Sequence, residues 1–140
     1  MFSGIEKTFI PSIWSHILPL LEKVLNRDPG RYTTESVLDD LLNERLQLWL
    51  GYEDFEDIKD LRIDIIAITK IGQFHAKKVL FIEMISGTKL YKWIENLDMI
   101  RKWGTDNGCT SLEFTARKGF RKYLRPLNFK EKLILYEAPL

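Results

Sequence analysis

Residues 79–103 constrain the fold of this chain more than any other stretch. Val79-Leu80-Phe81-Ile82 is a continuous apolar run rich in β-branched and aromatic types, the composition of a strand buried on both faces. Ser86-Gly87-Thr88 then offers small and polar residues at which the backbone can turn. Leu90, Trp93, Ile94, Leu97, Ile100 and Trp103 recur every three or four residues, which predicts one amphipathic helix, closed by Gly104 and Gly108. A buried strand entering a helix through a short polar loop leaves backbone N–H groups free at the helix start. With the helix dipole, those groups form a seat for phosphate.

The rest of the chain reads as support for this unit. From the N-terminal side, Ile13, Trp14, Ile17, Leu18, Leu21, Val24 and Leu25 predict a helix over 11–26, with Pro11 in its first turn and a kink at Pro19. Asp28-Pro29-Gly30 stops it, and Thr34 caps a second helix that runs to about residue 43 on a stripe of Val37, Leu38, Leu41 and Leu42. The period then changes to that of strands. Arg45–Tyr52, Leu61–Ile71 and the strand at 77–85 are joined by an acidic turn at 53–57 and a short link at Gly72-Gln73, which reads as an antiparallel meander. After the long helix come a strand at Ser111–Ala116, a short helix at Lys118–Leu124 and a last strand at Leu133–Tyr136. The order is ααβββαβαβ. A helical crossover from the strand near 80 to that near 112 makes those two parallel, so the predicted class is α/β (α+β), with a mixed, twisted central sheet.

A length of 140 residues suits one domain, 1–140, able to bury about two thirds of its unfolded surface. An apolar fraction of 45% gives it a core to do so. No apolar run reaches the roughly 18 residues that a membrane span needs, and no signal-peptide pattern opens the chain, so the expected setting is soluble and cytoplasmic. The single cysteine, Cys109, excludes an internal disulfide or a cysteine metal cluster, and two isolated histidines, His16 and His75, make no metal site. A net charge of +1 gives no bulk electrostatic reason for a nucleic-acid partner. One local bias stands out. Arg117, Lys118, Arg121, Lys122, Arg125, Lys130 and Lys132 face a single acid, Glu131, and Arg117, Arg121 and Arg125 would share a face if the helix extends that far. A solvated basic face is the plainer reading, and attraction of phosphates the functional one.

The order of elements, over nearly the whole chain, resembles the GNAT fold of acetyl-CoA-dependent N-acetyltransferases. The segments Ile13-Trp14 through Leu21, Arg31-Tyr32-Thr33, Leu46-Gln47-Leu48-Trp49, the helix with Trp103, and Arg117–Phe129 followed by Leu133–Leu140 are similar to a GNAT-like group common in tailed-phage genomes. The resemblance implies that the strand before the central helix binds the pantetheine arm through main-chain groups and that the following loop cradles the pyrophosphate. It assigns Met84 and Ile85 to the cofactor channel and Ser86, Gly87, Thr88 and Lys89 to the pyrophosphate. The family's glycine-rich loop survives here only as Gly87, and Glu83 brings a negative charge near the diphosphate that Lys89 would offset. The family's late motif sets a tyrosine, acting as acid towards the departing thiolate, ahead of a Gly-Phe pair. Here Asn128-Phe129 stand for that pair, Leu124 occupies the tyrosine's place, and Tyr123 is one position earlier, a rotation of roughly 100° on a helix.

Amine attack also needs a proton acceptor. Glu83 ends an apolar strand and, if buried, is poised as a base; if solvent-facing, it is a strand terminus. Glu53, Asp54, Glu56 and Asp57 read as a solvated turn or as an acidic rim for a cationic amine. Trp49 and Tyr91 could line a substrate groove, Trp93 belongs to the core, and Cys109 is small buried filler. The expected function is transfer of an acetyl group from acetyl-CoA to a small-molecule or protein amine, with Tyr123 and Glu83 as catalytic candidates. The alternative is a catalytically inactive GNAT-fold binding or structural protein that partners itself or other virion proteins, in the host cytoplasm or virion if phage-encoded. Fold by itself does not choose between them.

Overall fold

A computed structural model describes residues 1–140. A five-stranded mixed sheet in the order β1-β2-β3-β4-β5 forms its centre. β1 (Phe2–Ile5), β2 (Gln47–Tyr52), β3 (Ile63–Gln73) and β4 (Lys78–Gly87) pair antiparallel, and β5 (Ser111–Phe114) lies parallel to β4. The helices α1 (Ile10–Leu25) and α2 (Thr34–Leu42) cover one face. α3 (Leu90–Glu95) and α4 (Leu97–Asp106) cover the other, and α5 (Arg121–Leu124) follows β5.

Each face has its own core, because strand residues alternate between two helical layers. Leu48, Leu50, Ile66, Ile68 and Met84 meet Ile13, Ile17, Leu21, Val37 and Leu41 on the α1–α2 side. Trp49, Ile65, Ala67, Leu80, Ile82 and Ile85 meet Trp93, Leu97 and Ile100 on the other. Trp49 is therefore buried rather than lining a groove, and its indole N–H donates to Thr69 Oγ1 at 3.0 Å. The predicted core position of Trp93 holds, with its ring 5.5 Å from that of Phe114.

Several predicted boundaries move, each for a local reason. β1 was not expected: Phe-Ser-Gly-Ile is too short to show a period, and pairing with β2 alone defines it. α1 runs unbroken through Pro19. The cap of α2 is Thr33, not Thr34, since Thr33 Oγ1 accepts from the Ser36 N–H at 3.0 Å while Ser36 Oγ accepts from the Thr33 N–H at 2.9 Å. The single helix predicted over 90–103 is two. Asn96 divides them, its side-chain amide donating to the Lys92 carbonyl at 2.7 Å and so competing with helix continuation.

Gly104 does not end a helix. It sits inside α4, where a Cβ would come within 2.9 Å of Leu80 Cδ2, and Gly108, at φ +83°, makes the turn that follows. The polar break at Ser86-Gly87 is not a loop either, because β4 continues through Gly87 against β3. Arg117, Arg121 and Arg125 share no helix face, since α5 has only four residues between short 3₁₀ turns. The strand expected at Leu133–Tyr136 does not form, and those side chains are exposed.

Candidate active site

Two features of β4 create the site. The first is a bulge. Met84 faces Ile68 and Ile82 faces Thr69, so Glu83 is an extra residue with no partner on β3. The inserted residue shifts the alternation. Ile82 and Ile85 point into the α3–α4 core, and Met84 points into the α1–α2 core. Glu83 is thereby half-buried beneath the α1–α2 connection, where its Oε2 accepts a hydrogen bond from the Tyr32 hydroxyl at 3.2 Å. Burial and then the adjacent Glu83 carboxylate push the Tyr32 phenol up to about 12.

The second feature is the end of the β4–β5 ladder. Pairing covers Val79–Ile82 against Ser111–Phe114 and stops at Ile82 and Phe114, immediately before the bulge. From Glu83 onward the β5 side of β4 has no strand beside it. The Thr88 N–H donates to the Asp64 carbonyl at 2.9 Å while Gly87 faces Ile65. Ladder alternation then turns the main-chain groups of Ile85 and Gly87 away from β3, towards that open edge. Gly87 is held at φ +152°, and a Cβ there would lie 2.2 Å from the Asp64 carbonyl oxygen.

The predicted phosphate end is differently occupied. α3 has six residues, its first turn follows β4 after only Thr88-Lys89, and the Thr88 N–H is already bonded. The Lys89 ammonium lies 3.1 Å from Glu53 Oε1 and 3.3 Å from Asp64 Oδ1, and Lys92 also pairs with Asp64. Hydrogen bonding to Glu53 and then Asp64 holds Lys89 above its ordinary value. Burial pushes the Asp64 carboxyl up, but the hydrogen bonds and charges of Lys92 and Lys89 outweigh it and leave it below the usual carboxylate range. Two carboxylates and two ammonium groups thus neutralise one another beside Gly87. Ser86 Oγ, buried on the same strand, has no hydrogen-bond partner.

The remaining candidates scatter. Tyr123 is 40% exposed on α5, with the Lys122 ammonium 5.0 Å from its ring centre. Arg121 is paired with Glu131. Residues 53–57 are a solvated link, from which only Glu53 reaches the site. His75 and Tyr91 are exposed, His16 and Cys109 partly so. Asn128 adopts φ +65°, the left-handed conformation that glycine and asparagine favour. Sequence reasoning assigns no role to two residues central to the geometry, Tyr32 and Asp64. Asp64 did carry a signal, as one acid inside the apolar run Ile63–Ala67.

No protein-family model matches the chain, and no curated protein sequence matches it. Solved structures do. A probable acetyltransferase shares a TM-score of 0.74 at 14% identity, over 100% of this chain and 97% of that one. An aminoglycoside acetyltransferase from an uncultured soil metagenomic sample, in complex with sisomicin, gives 0.70 at 11% identity, over 100% and 95%. AAC(6')-Iy, in complex with the bisubstrate analogue CoA-S-monomethyl-acetylneamine, gives 0.67 at 18% identity, over 100% and 98%. The architecture is therefore the GNAT fold. The phage-specific group finds no counterpart among these structures.

Proposed function

We propose that this protein transfers an acetyl group from acetyl-CoA to an amine at the bulge of β4. One observation carries the reading: the β4–β5 ladder ends just before a bulged residue, Glu83, that has no partner on β3, in a fold shared along its whole length with acetyltransferases. The open edge from Glu83 to Gly87 offers N–H and C=O groups to the extended, amide-containing arm of the donor. Met84 and Ile85, expected to line the channel, contribute main chain only, since their side chains are buried in the two cores. Acetyl-CoA supplies an activated thioester. The amine attacks its carbonyl carbon, a C–N bond forms and the C–S bond breaks. Glu83 takes the amine's proton on the oxygen that Tyr32 does not occupy, and the proton for the leaving thiolate is assigned to Tyr123, which stands 40% exposed on α5 and makes no hydrogen bond to the groups around Glu83.

At the phosphate end the fit is conditional. Ser86, Gly87 and Thr88 present a strand and a bonded N–H rather than a cradle, so the charge must come from Lys89, exchanging Glu53 for a phosphate. That same commitment of Thr88 and Lys89 favours the second reading, a GNAT-fold binding or structural protein without catalysis.

Titration calorimetry with acetyl-CoA and with acetyl-pantetheine, followed by thiol release on an amine panel, separates the two readings. Binding of both donors is expected, with Lys89→Ala weakening only acetyl-CoA. Glu83→Gln should lower kcat by about 10²-fold without loss of donor binding. Absence of binding by either donor at millimolar concentration rejects the acetyltransferase reading.

A further inference from the structure

A groove of about 400 Å³ opens at the β1–β2 end of the sheet, between the last residues of β1, the start of α1 and the link from β2 to β3. β3 separates it from β4, and neither Tyr32 nor any residue from Glu83 to Lys89 lines it. Its size is that of a small-molecule cleft. Ile13, Leu50 and Leu61 line it from the core. Phe9, Phe55 and Ile58 line it from outside, where they stay 59%, 39% and 42% exposed. Large apolar side chains gathered around one opening, rather than scattered singly, mark a place where something binds.

The lining also fixes the chemistry of the occupant. The rings of Phe9, Tyr52 and Phe55 border the groove, the last two edge to face with centres 6.0 Å apart. Ring faces carry negative potential and attract cations. The one charged residue in the lining is Glu6. It is exposed and forms no ion pair, while the adjacent Lys7 is paired with Glu44 at 3.7 Å. The link that carries Phe55 adds Asp54 and Glu56 on either side of it, so the field at the opening favours a cation. A primary ammonium would bring three N–H donors to a lining with one carboxylate, and so would lose more to desolvation than a fully substituted one. We propose that this groove binds a quaternary organic ammonium with an apolar body, its charge against Glu6 and the rings, its alkyl or aryl part over Ile13 and Leu50. Such a nitrogen has no N–H and no lone pair to attack a thioester. The site is therefore a second one, separate from acetyl transfer, and the inference does not depend on that reading.

The test follows amide NMR spectra of the full chain titrated with benzyltrimethylammonium, and with choline against its uncharged isostere 3,3-dimethyl-1-butanol. Millimolar binding is expected, with shifts centred on 4–13 and 50–61, and with choline held about fivefold more tightly than the alcohol. Glu6→Gln, at an exposed position, should erase that preference. Ser12→Trp, also at an exposed position, should fill the mouth and abolish binding of all three probes while the spectrum of the folded chain is kept. Absence of shifts at millimolar probe overturns the proposal. So does a preference for choline that survives Glu6→Gln, or binding that survives Ser12→Trp. Shifts at 83–89 in place of the groove also overturn it, since they move the cation to the β4 site, and they leave the acetyltransferase reading standing.

Discussion

Tyr32 and Glu83 show how much one inserted residue controls. The bulge lets two consecutive residues, Glu83 and Met84, both face the α1–α2 layer, and without it Met84 would turn to the opposite core. The raised phenol leads to a pH prediction. The folded state holds the Tyr32 proton more tightly than the unfolded chain does. Its stabilising effect is therefore complete below the ordinary value near 10 and is lost as pH rises towards about 12. Ultraviolet titration should show one of the five tyrosines ionising late. Glu83→Gln should bring that tyrosine earlier, since it removes the adjacent negative charge. Burial alone accounting for the shift would leave the variant's curve unchanged.

At the scale of elements, the β4–α3 junction is fixed by close approach of backbone to backbone. Gly87 lies against Asp64 and Ile65 of β3, at 2.2 Å and 2.6 Å from where a Cβ would stand. Gly87→Ala should therefore cost about 1–3 kcal/mol, through strain at positive φ and displacement of β3. Urea unfolding measures it. A loss below about 0.5 kcal/mol would show that the junction is looser than this packing. The same geometry explains why a glycine in a polar stretch, which reads as a turn, is here the last residue of a strand. The Cβ it lacks is what lets β4 keep its pairing.

For the whole molecule, Asp64 connects parts distant in sequence, joining β3 to Lys89 and Lys92 beside α3, with Glu53 of the β2–β3 link sharing Lys89. Its carboxyl is held below the usual range, so the stabilisation it contributes is present above the ordinary value near 4 and is lost as pH falls through its lowered value. Thermal unfolding from pH 6 to 2.5 should fall more steeply in the unmodified chain than in Asp64→Asn. Parallel curves would mean that other carboxylates dominate the acid limb. No helix is long and apolar enough to cross a membrane.

The sequence by itself determined the elements whose apolar period is long: α1, α2, the three-strand meander, and the parallel crossover to β5. Burial of Val79, Leu80 and Ile82, though not of the partly exposed Phe81, and the core place of Trp93 were also legible, because a buried strand and a helix stripe write their environment into consecutive residues. Only the tertiary structure decided the bulge at Glu83, the early end of the β4–β5 ladder, and the Tyr32 and Asp64 partnerships. Each of these depends on register between strands or on residues far apart in the chain, and no local period records that. Leu133–Tyr136 teaches the converse. Its strand pattern is real in composition, but a strand forms only when an edge accepts its hydrogen bonds, and here no strand of the sheet pairs with it.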